Sequence, residues 1–419
     1  MSTTSTYWHP FADMAEVAGR ELVIVRGAGV HVWDDRGRRY LDGSASLWHA
    51  HVGHGRREIA DAVARQMREL EAYQTFGDLA HPPALELCER LAALTEMPDP
   101  RVFLTLGGGD GIEAAAKIAR AHFTLAGQPE RMHLISRVHG YHGTHGFGTS
   151  LTGMETVRQG FGPLAGSVSV VEYDSADALE AEILRIGPER VAAFFCEPVI
   201  GAGGVRPAPP GYIEAVADVC ERYGVLFVID AVICAFGRVG TWLGYERWGI
   251  EPDMVVLAKG ITSGYLPLGA VLVAGPVAEP FWAGGTMLRH GATYAGHPTC
   301  CAAALANLDI LESERLIPRG RELEDDLMAA LEPLREHPAA GEIRGGVGLA
   351  AAVDLRADLQ RDHALVHAFH EGVREAGVLL RNQVAGVAIG PPLTVERAQL
   401  EEIGEAVKSG LDAVLTVRV

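Results

Sequence analysis

Two short apolar runs, each ending on a charged residue, constrain this chain more than any other feature. They lie within residues 225–269, VLFVIDAVICAFGRVGTWLGYERWGIEPDMVVLAKGITSGYLPLG. The run Val225-Leu226-Phe227-Val228-Ile229 stops at Asp230, and Met254-Val255-Val256-Leu257-Ala258 stops at Lys259. Runs this short and this rich in β-branched residues suit strands covered on both faces, as in parallel sheets. Open parallel sheets bind ligands just beyond the carboxyl ends of their strands, so the acid and the amine face one crevice. Gly260 and a polar, glycine-containing turn follow the lysine, which frees its amine from a continuing strand.

Pyridoxal phosphate (PLP) chemistry needs that pair. A lysine amine condenses with the cofactor aldehyde, and a carboxylate beside the pyridine nitrogen keeps it protonated, so the ring can accept electrons. Taken singly, Asp230 reads as a turn cap and Lys259 as a solvated strand-end residue. Together with their flanks they read as a cofactor site.

The segments DAVICAFGRVG and WGIEPDMVVLAKGITSGYLPLGAV resemble those of the class III aminotransferases, a branch of the fold type I PLP enzymes. The resemblance covers nearly the whole chain. It implies an α/β fold: a large domain with a mostly parallel, helix-covered central sheet, and a small α+β domain from both termini. It also implies that Lys259 is the Schiff-base lysine, that Asp230 is the partner of the pyridine nitrogen, and that Val232 packs on one ring face. Two positions depart from the pattern: Ala231 stands where the family usually has Glu, and Ala235 where it usually has Gly.

Further motifs follow in chain order. A strand at residues 101–104 runs into Leu106-Gly107-Gly108-Gly109-Asp110-Gly111, with a helix expected over 112–123. A strand, glycine-rich turn and helix start offer unpaired amides and a positive dipole end to a phosphate, although such turns are also common connectors. The segment lacks the Lys-Ser/Thr of a nucleotide-binding P-loop. In class III enzymes the same place reads SGSE and binds the PLP phosphate; here GGGD keeps the amides of Gly108 and Gly109 but has no serine hydroxyl, which predicts the loss of one hydrogen bond. The YHG that follows ISR makes Tyr141, by resemblance, the aromatic stacked on the exposed pyridine face. The strand at 191–196 leads into EPVIGAGGVRPAPPGYI, which by the same match places Glu197 and Ala202 near cofactor and substrate. The segment HGATYAGHP resembles the family's HGxTYSGHP, whose threonine reaches the phosphate of the neighbouring subunit, so Thr293 implies a homodimer with shared active sites.

The substrate side rests on resemblance to the amine-pyruvate branch. Trp48, in DGSASLW, matches a pocket-lining tryptophan, and it reads equally as a hydrophobic loop anchor. Phe11 and Phe76 are further candidates for the aromatic wall. Arg381 matches an arginine that swings in to bind a substrate carboxylate, a task suited to the forked guanidinium. His49, His51, His54 and His81 match no usual ligand spacing, and no metal site is expected.

Length and composition bound the rest. A chain of 419 residues suggests two or three domains: residues 1–60 joining the small domain, 61–312 binding PLP, and 313–419 forming an α+β unit that opens with a helix over 319–334. A strand over 347–355, a helix over 363–376, a strand over 377–381 and a final helix over 395–415 complete that unit. With 54 acidic against 36 basic residues the formal charge is -18, which argues against a nucleic-acid footprint. The amino terminus has no cationic-then-apolar leader and no apolar run has transmembrane length, so a cytoplasmic protein without a membrane partner is expected. Six scattered cysteines read as reduced core residues. The expected activity is transfer of an amino group from an amine or ω-amino acid donor to a keto acid such as pyruvate. Ala231 and the altered phosphate loop keep open an aminomutase or carbon-carbon bond-forming relative; a second alternative is a PLP-binding protein of weakened catalysis, against which the presence of Lys259 and Asp230 argues.

Overall fold

The computed structural model describes residues 6–417. An antiparallel meander opens it: β1 (Ile24–Ala28), β2 (His31–Asp34) and β3 (Arg39–Asp42). Asp34 closes the β2–β3 turn by accepting the amides of Arg36 and Arg38 at 3.0 and 2.8 Å. Helices α1 (Arg57–Glu69) and α2 (Pro82–Ala92) follow, and the chain then enters the central sheet.

That sheet takes β4 (Arg101–Thr105), β5 (His133–Arg137), β6 (Val168–Val171) and β7 (Val191–Cys196). After the short β8 (Val199–Ile200) and β9 (Arg206–Pro207) hairpin, it takes β10 (Leu226–Asp230), β11 (Met254–Leu257) and β12 (Gly269–Val273). The spatial order is β4-β12-β11-β10-β7-β5-β6. Only β12 runs against the others, since it pairs antiparallel with both β11 and β4. Helices α3 (Gly108–Leu125) and α4 (Tyr212–Tyr223) pack on the sheet. The apolar runs read from the sequence are its centre: every residue of β7, β10, β11 and β12 is buried. Full burial of a Val, Leu, Ile or Phe side chain contributes about 1.5–3 kcal/mol, so these strands carry much of the domain's stability.

Register aligns the two charged residues. Asp230 pairs with Val256 across β10 and β11, and the Ala231 amide still donates to the Val256 carbonyl at 3.0 Å. At the other end of the strands the Asp253 carboxylate accepts the Phe227 amide at 2.7 Å, while the Asp253 amide donates to the Phe227 carbonyl at 2.9 Å. A slip of one residue would break this clamp and turn Asp230 to the other face.

After α5 (Pro298–Ser313) the chain builds a second, antiparallel sheet, β13 (Ala340–Arg344), β14 (Ala351–Leu355), β17 (Gly386–Ile389) and β16 (Arg381–Asn382). Helices α6 (His363–Glu375) and α7 (Arg397–Val417) pack against each other beside it. The intervening β15 (Val378–Leu379) instead pairs parallel with β3, joining the carboxyl-terminal part to the opening meander.

Several expected boundaries move. The helix expected over 319–334 is two short helices, Arg319–Glu322 and Glu324–Leu331, and a 3-10 turn; Leu323 leaves helical geometry, and Pro333 in the turn has no N–H to donate. The strand expected from 347 begins at Ala351, because Gly345, Gly346 and Gly348 have positive φ angles of 152°, 84° and 70°. The strand expected over 377–381 is divided between two sheets. The helix expected from Ile112 starts four residues earlier, at Gly108. Of the three expected segments, residues 1–5 and 418–419 lie outside the described ones. Among the described residues no helix is long and apolar enough to cross a membrane.

Candidate active site

Asp230 ends β10 in a buried pocket. Its Oδ1 accepts the Val232 amide at 3.1 Å, which holds the turn after the strand, and its Oδ2 lies 2.7 Å from Nδ1 of His142. A carboxylate only accepts, so His142 donates. The side chains of His142 and Asp230 are 1% and 5% exposed. His142 is a contact of the site that sequence reasoning does not find: it lies inside the YHG segment, but only the fold brings β5 and its following loop under the end of β10.

Glu197 follows β7 and is buried beside Asp230. Its two oxygens accept the amides of Tyr141 and Gly201, each at 2.9 Å. Burial first, and then the neighbouring Asp230 charge, push its carboxyl above the usual range. Glu197 thus fastens two loops at once, one carrying Tyr141 and the other carrying the half-buried Ala202. Beneath them the buried Arg137 guanidinium donates to the carbonyls of Glu197 and Tyr173.

Lys259 stands one strand over, past the end of β11, with the left-handed backbone angle φ 47°. Few non-glycine residues adopt this conformation, and where they do it often marks a functional site. Burial lowers the ammonium pKa, and the carboxylates of Asp230 and Glu197 oppose that shift. The following Gly260 allows close packing, since a Cβ there would lie 2.5 Å from Nδ1 of His51. An amine whose proton affinity is lowered is better suited to act as nucleophile and proton carrier.

Val232 and α3 form the third wall. A Cβ on Gly108 would meet the Val232 methyls at 2.8 and 2.9 Å, so glycine lets the helix start abut that side chain. Among the described residues the amides of Gly108 and Gly109, in the first turn of an 18-residue helix, have no acceptor; the first intrahelical bond is Gly111 N–H to Gly107 O at 2.9 Å. Free amides at a helix N-terminus suit a phosphate. A buried amine able to form an imine, a buried carboxylate able to face a pyridinium nitrogen, an apolar wall and a helix start able to bind an anion together fit PLP.

Tyr141 is half-buried above this group; burial raises its phenol pKa, Arg381 lowers it, and Asp230 and Glu197 raise it further. Arg381 itself is exposed. Its backbone amide donates to Ser44 Oγ at 2.7 Å, while its guanidinium has no hydrogen-bond partner among the described residues.

Other expected residues lie apart. Trp48 is 3% exposed in an apolar cluster with Val199, Val205, Ile233 and Ala388, its ring against Gly390 and 5.9 Å from the Arg238 guanidinium carbon. Thr293 is exposed. Phe11 and Phe76 are exposed, with Phe76 beside Gly291. Three of the histidines weighed as ligands have structural partners: His51 to the Phe236 carbonyl, His54 to Asp42, and His81 to the Gly296 carbonyl.

A mostly parallel, helix-covered sheet with lysine and aspartate beyond the ends of adjacent strands defines a fold type I PLP-dependent enzyme. The sequence profile of the family "Aminotransferase class-III" matches residues 14–411. The putrescine-pyruvate aminotransferase of Pseudomonas aeruginosa is 35% identical, over 96% of this chain and 93% of its own length. Among solved structures, a thermostable (S)-enantioselective omega-transaminase from Thermomicrobium roseum superposes with a TM-score of 0.92 at 40% identity, covering 97% of this chain and 96% of that one. A PLP-bound amine transaminase from an uncultivated Pseudomonas species gives a TM-score of 0.93 at 37% identity, covering 97% and 98%. The chain belongs to the class III aminotransferases, PLP-dependent enzymes that transfer amino groups.

Proposed function

We propose that the protein transfers an amino group from a primary amine or ω-amino acid to pyruvate or a similar keto acid, with Lys259 and Asp230 as its catalytic residues. The observation that carries this is the placement of Lys259 and the His142-supported Asp230 at the ends of adjacent strands. When bound, PLP supplies an electron sink for the carbanion formed at the donor carbon. Asp230 would face the pyridine nitrogen and hold its proton, and His142 aims the carboxylate through the 2.7 Å contact. Lys259, its proton affinity lowered by burial, would accept and return the proton of the donor carbon. The amides of Gly108 and Gly109 would hold the phosphate and Val232 and Tyr141 would flank the ring, while Glu197 fixes the surrounding loops.

Arg381 supports the keto-acid half of this reading. A guanidinium without a protein partner is available to a carboxylate, and its exposure leaves room for it to withdraw when an apolar amine enters. The relative named for putrescine and pyruvate and the structural neighbour named as an amine transaminase agree with that pairing. Trp48 and Ala202 are proposed to shape the substrate side, Trp48 from its anchored position.

We propose a homodimer with shared active sites. Segments 71–79 and 287–297 lie side by side, linked by Thr75 Oγ1 to the Ala295 carbonyl at 3.1 Å, and carry exposed Tyr73, Phe76, Leu79, Met287 and Tyr294 around Thr293. Clustered exposed apolar side chains of this kind mark an interface. A cytoplasmic setting agrees with six unpaired thiols.

Borohydride reduction followed by peptide mapping should find a pyridoxyl tag on Lys259, and incubation with an amine panel and pyruvate should yield alanine. A tag on another residue, or a reducible cofactor with no alanine from any donor, overturns the proposal.

A further inference from the structure

Helix α5 carries a fully buried asparagine inside an apolar stretch, Ala304-Leu305-Ala306-Asn307-Leu308. A carboxamide away from water costs stability unless its hydrogen bonds are made, and Asn307 makes only part of them. Its Nδ2 donates to the carbonyls of Gly260 and Ile261 at 2.8 and 3.1 Å, while its Oδ1 has no partner among the described residues. Both neighbours are acceptors, so only the nitrogen can face them. A leucine would fill the site without an orphaned oxygen; what asparagine adds there is the pair of bonds.

Those carbonyls belong to the two residues after Lys259. They lie in a single 3-10 turn, Lys259–Ile261, entered from extended Ala258, and Lys259 and Ser263 take φ angles of 47° and 49°. The turn's own bonds are long. The Ile261 amide reaches the Ala258 carbonyl at 3.1 Å, and the Thr262 and Ser263 amides reach the Lys259 and Gly260 carbonyls at 3.3 Å each, against about 2.9–3.0 Å for an ordinary bond. Shorter than all three is the 2.8 Å bond from Asn307. At its Cα, Gly260 is pressed against two other residues: a Cβ there would lie 2.5 Å from Nδ1 of His51 and 2.9 Å from the Phe236 Cβ. His51 is itself tied to the Phe236 carbonyl at 3.0 Å, so the turn is gripped at one Cα and at two carbonyls.

Resting on the reading of Lys259 as the residue that takes the cofactor, we propose that Asn307 is a positioning residue for Lys259. By holding the Gly260 and Ile261 carbonyls it keeps the lysine backbone left-handed, and that backbone sets the direction in which the side chain leaves. Without those bonds the strain at Lys259 is relieved by a return to ordinary geometry, which turns the amine away from Asp230.

The test follows apo protein by absorbance titration with PLP or with pyridoxal, which has the aldehyde and ring but no phosphate, and then traps the adduct with borohydride and maps it. Asn307→Leu, which keeps the bulk and removes both donors, should slow adduct formation at Lys259 about tenfold with either aldehyde, the worth of one or two neutral hydrogen bonds. Inorganic phosphate should still compete with PLP at the parental concentration, because the helix start at Gly108 and Gly109 is untouched. Asn307→Ser keeps one donor and should fall between the parent and the leucine variant; it carries the same comparison where leucine prevents folding. In variant crystals Lys259 should leave the positive-φ region. Parental adduct rates, a Lys259 backbone still at positive φ, or phosphate binding weakened alongside aldehyde binding overturns the proposal. Failure of the underlying site reading looks different, since the unmodified protein would then form no reducible adduct at Lys259 with either aldehyde.

Discussion

Replacing His142 with leucine tests whether the buried histidine–aspartate contact serves catalysis or only packing. The contact is 2.7 Å long, and neither side chain reaches water. The Val232 amide serves Oδ1, so the substitution leaves Oδ2 without a donor. A hydrogen bond to a charged group contributes about 1.5–3 kcal/mol, and a buried acceptor stripped of its donor loses its water as well. Asp230 is then less firmly aimed at the place the pyridine nitrogen would take. Loss of that energy from the transition state corresponds to roughly a 10–100-fold fall in the rate of proton removal from the donor. Single-turnover spectroscopy with a saturating amine reads this step directly. His142→Asn, which keeps an N–H near the same place, should recover most of the rate, whereas pyruvate KM should stay constant in both variants because Arg381 is untouched. A leucine variant that melts at lower temperature but keeps the parental single-turnover rate would refute the catalytic reading and leave a structural contact.

Three further outcomes are expected. Arg381→Ala should raise pyruvate KM by about 10–100-fold, the worth of a charged bidentate bond, and leave the half-reaction with an uncharged amine unaltered in steady-state and single-turnover kinetics. Gly108→Ala should displace Val232, since the new methyl meets it at 2.8 Å, and an overpacked wall costs about 1–3 kcal/mol, seen as weaker PLP binding in the same absorbance titration. Burial raises the Asp253 carboxyl from 3.8 to about 6. The folded state then holds this proton more tightly than the unfolded one, so its contribution is fully present below 3.8 and is lost as pH rises through about 6. Asp253→Asn keeps an acceptor for the Phe227 amide, and should flatten that slope and stabilise the protein near neutrality by up to about 3 kcal/mol in denaturant unfolding.

The central strands were legible because nothing but a strand buried on both faces suits VLFVI or MVVLA, and because a charge ends each run. The crevice pair followed from the parallel-sheet rule before any motif was compared. His142 was not legible in this way: it sits in the glycine-rich loop after β5, whose path depends on Glu197 and Glu113 accepting its amides from other elements. The start of α3 was placed late because a run of glycines has poor helix propensity, and packing against Val232 and Val256 overrides it. The 319–334 helix was drawn too long because apolar spacing carries no information about the break at Leu323, although Pro333 marks the end. Residue identity suggests a role for Trp48 and Arg381 alike, yet one is buried as an anchor and the other is free.

The pairing of β15 with β3 gives the first forty-odd residues an influence out of proportion to their distance from the chemistry. Leu379 aligns with Asp42, two residues later the Arg381 amide is tethered by Ser44, and the guanidinium extends from that tether. A change in the opening meander, remote from lysine, ring and phosphate, should therefore reorient the group proposed to choose the acceptor. Variant libraries confined to the cleft would overlook this handle, and a shortened amino terminus should alter acceptor preference while cofactor loading persists.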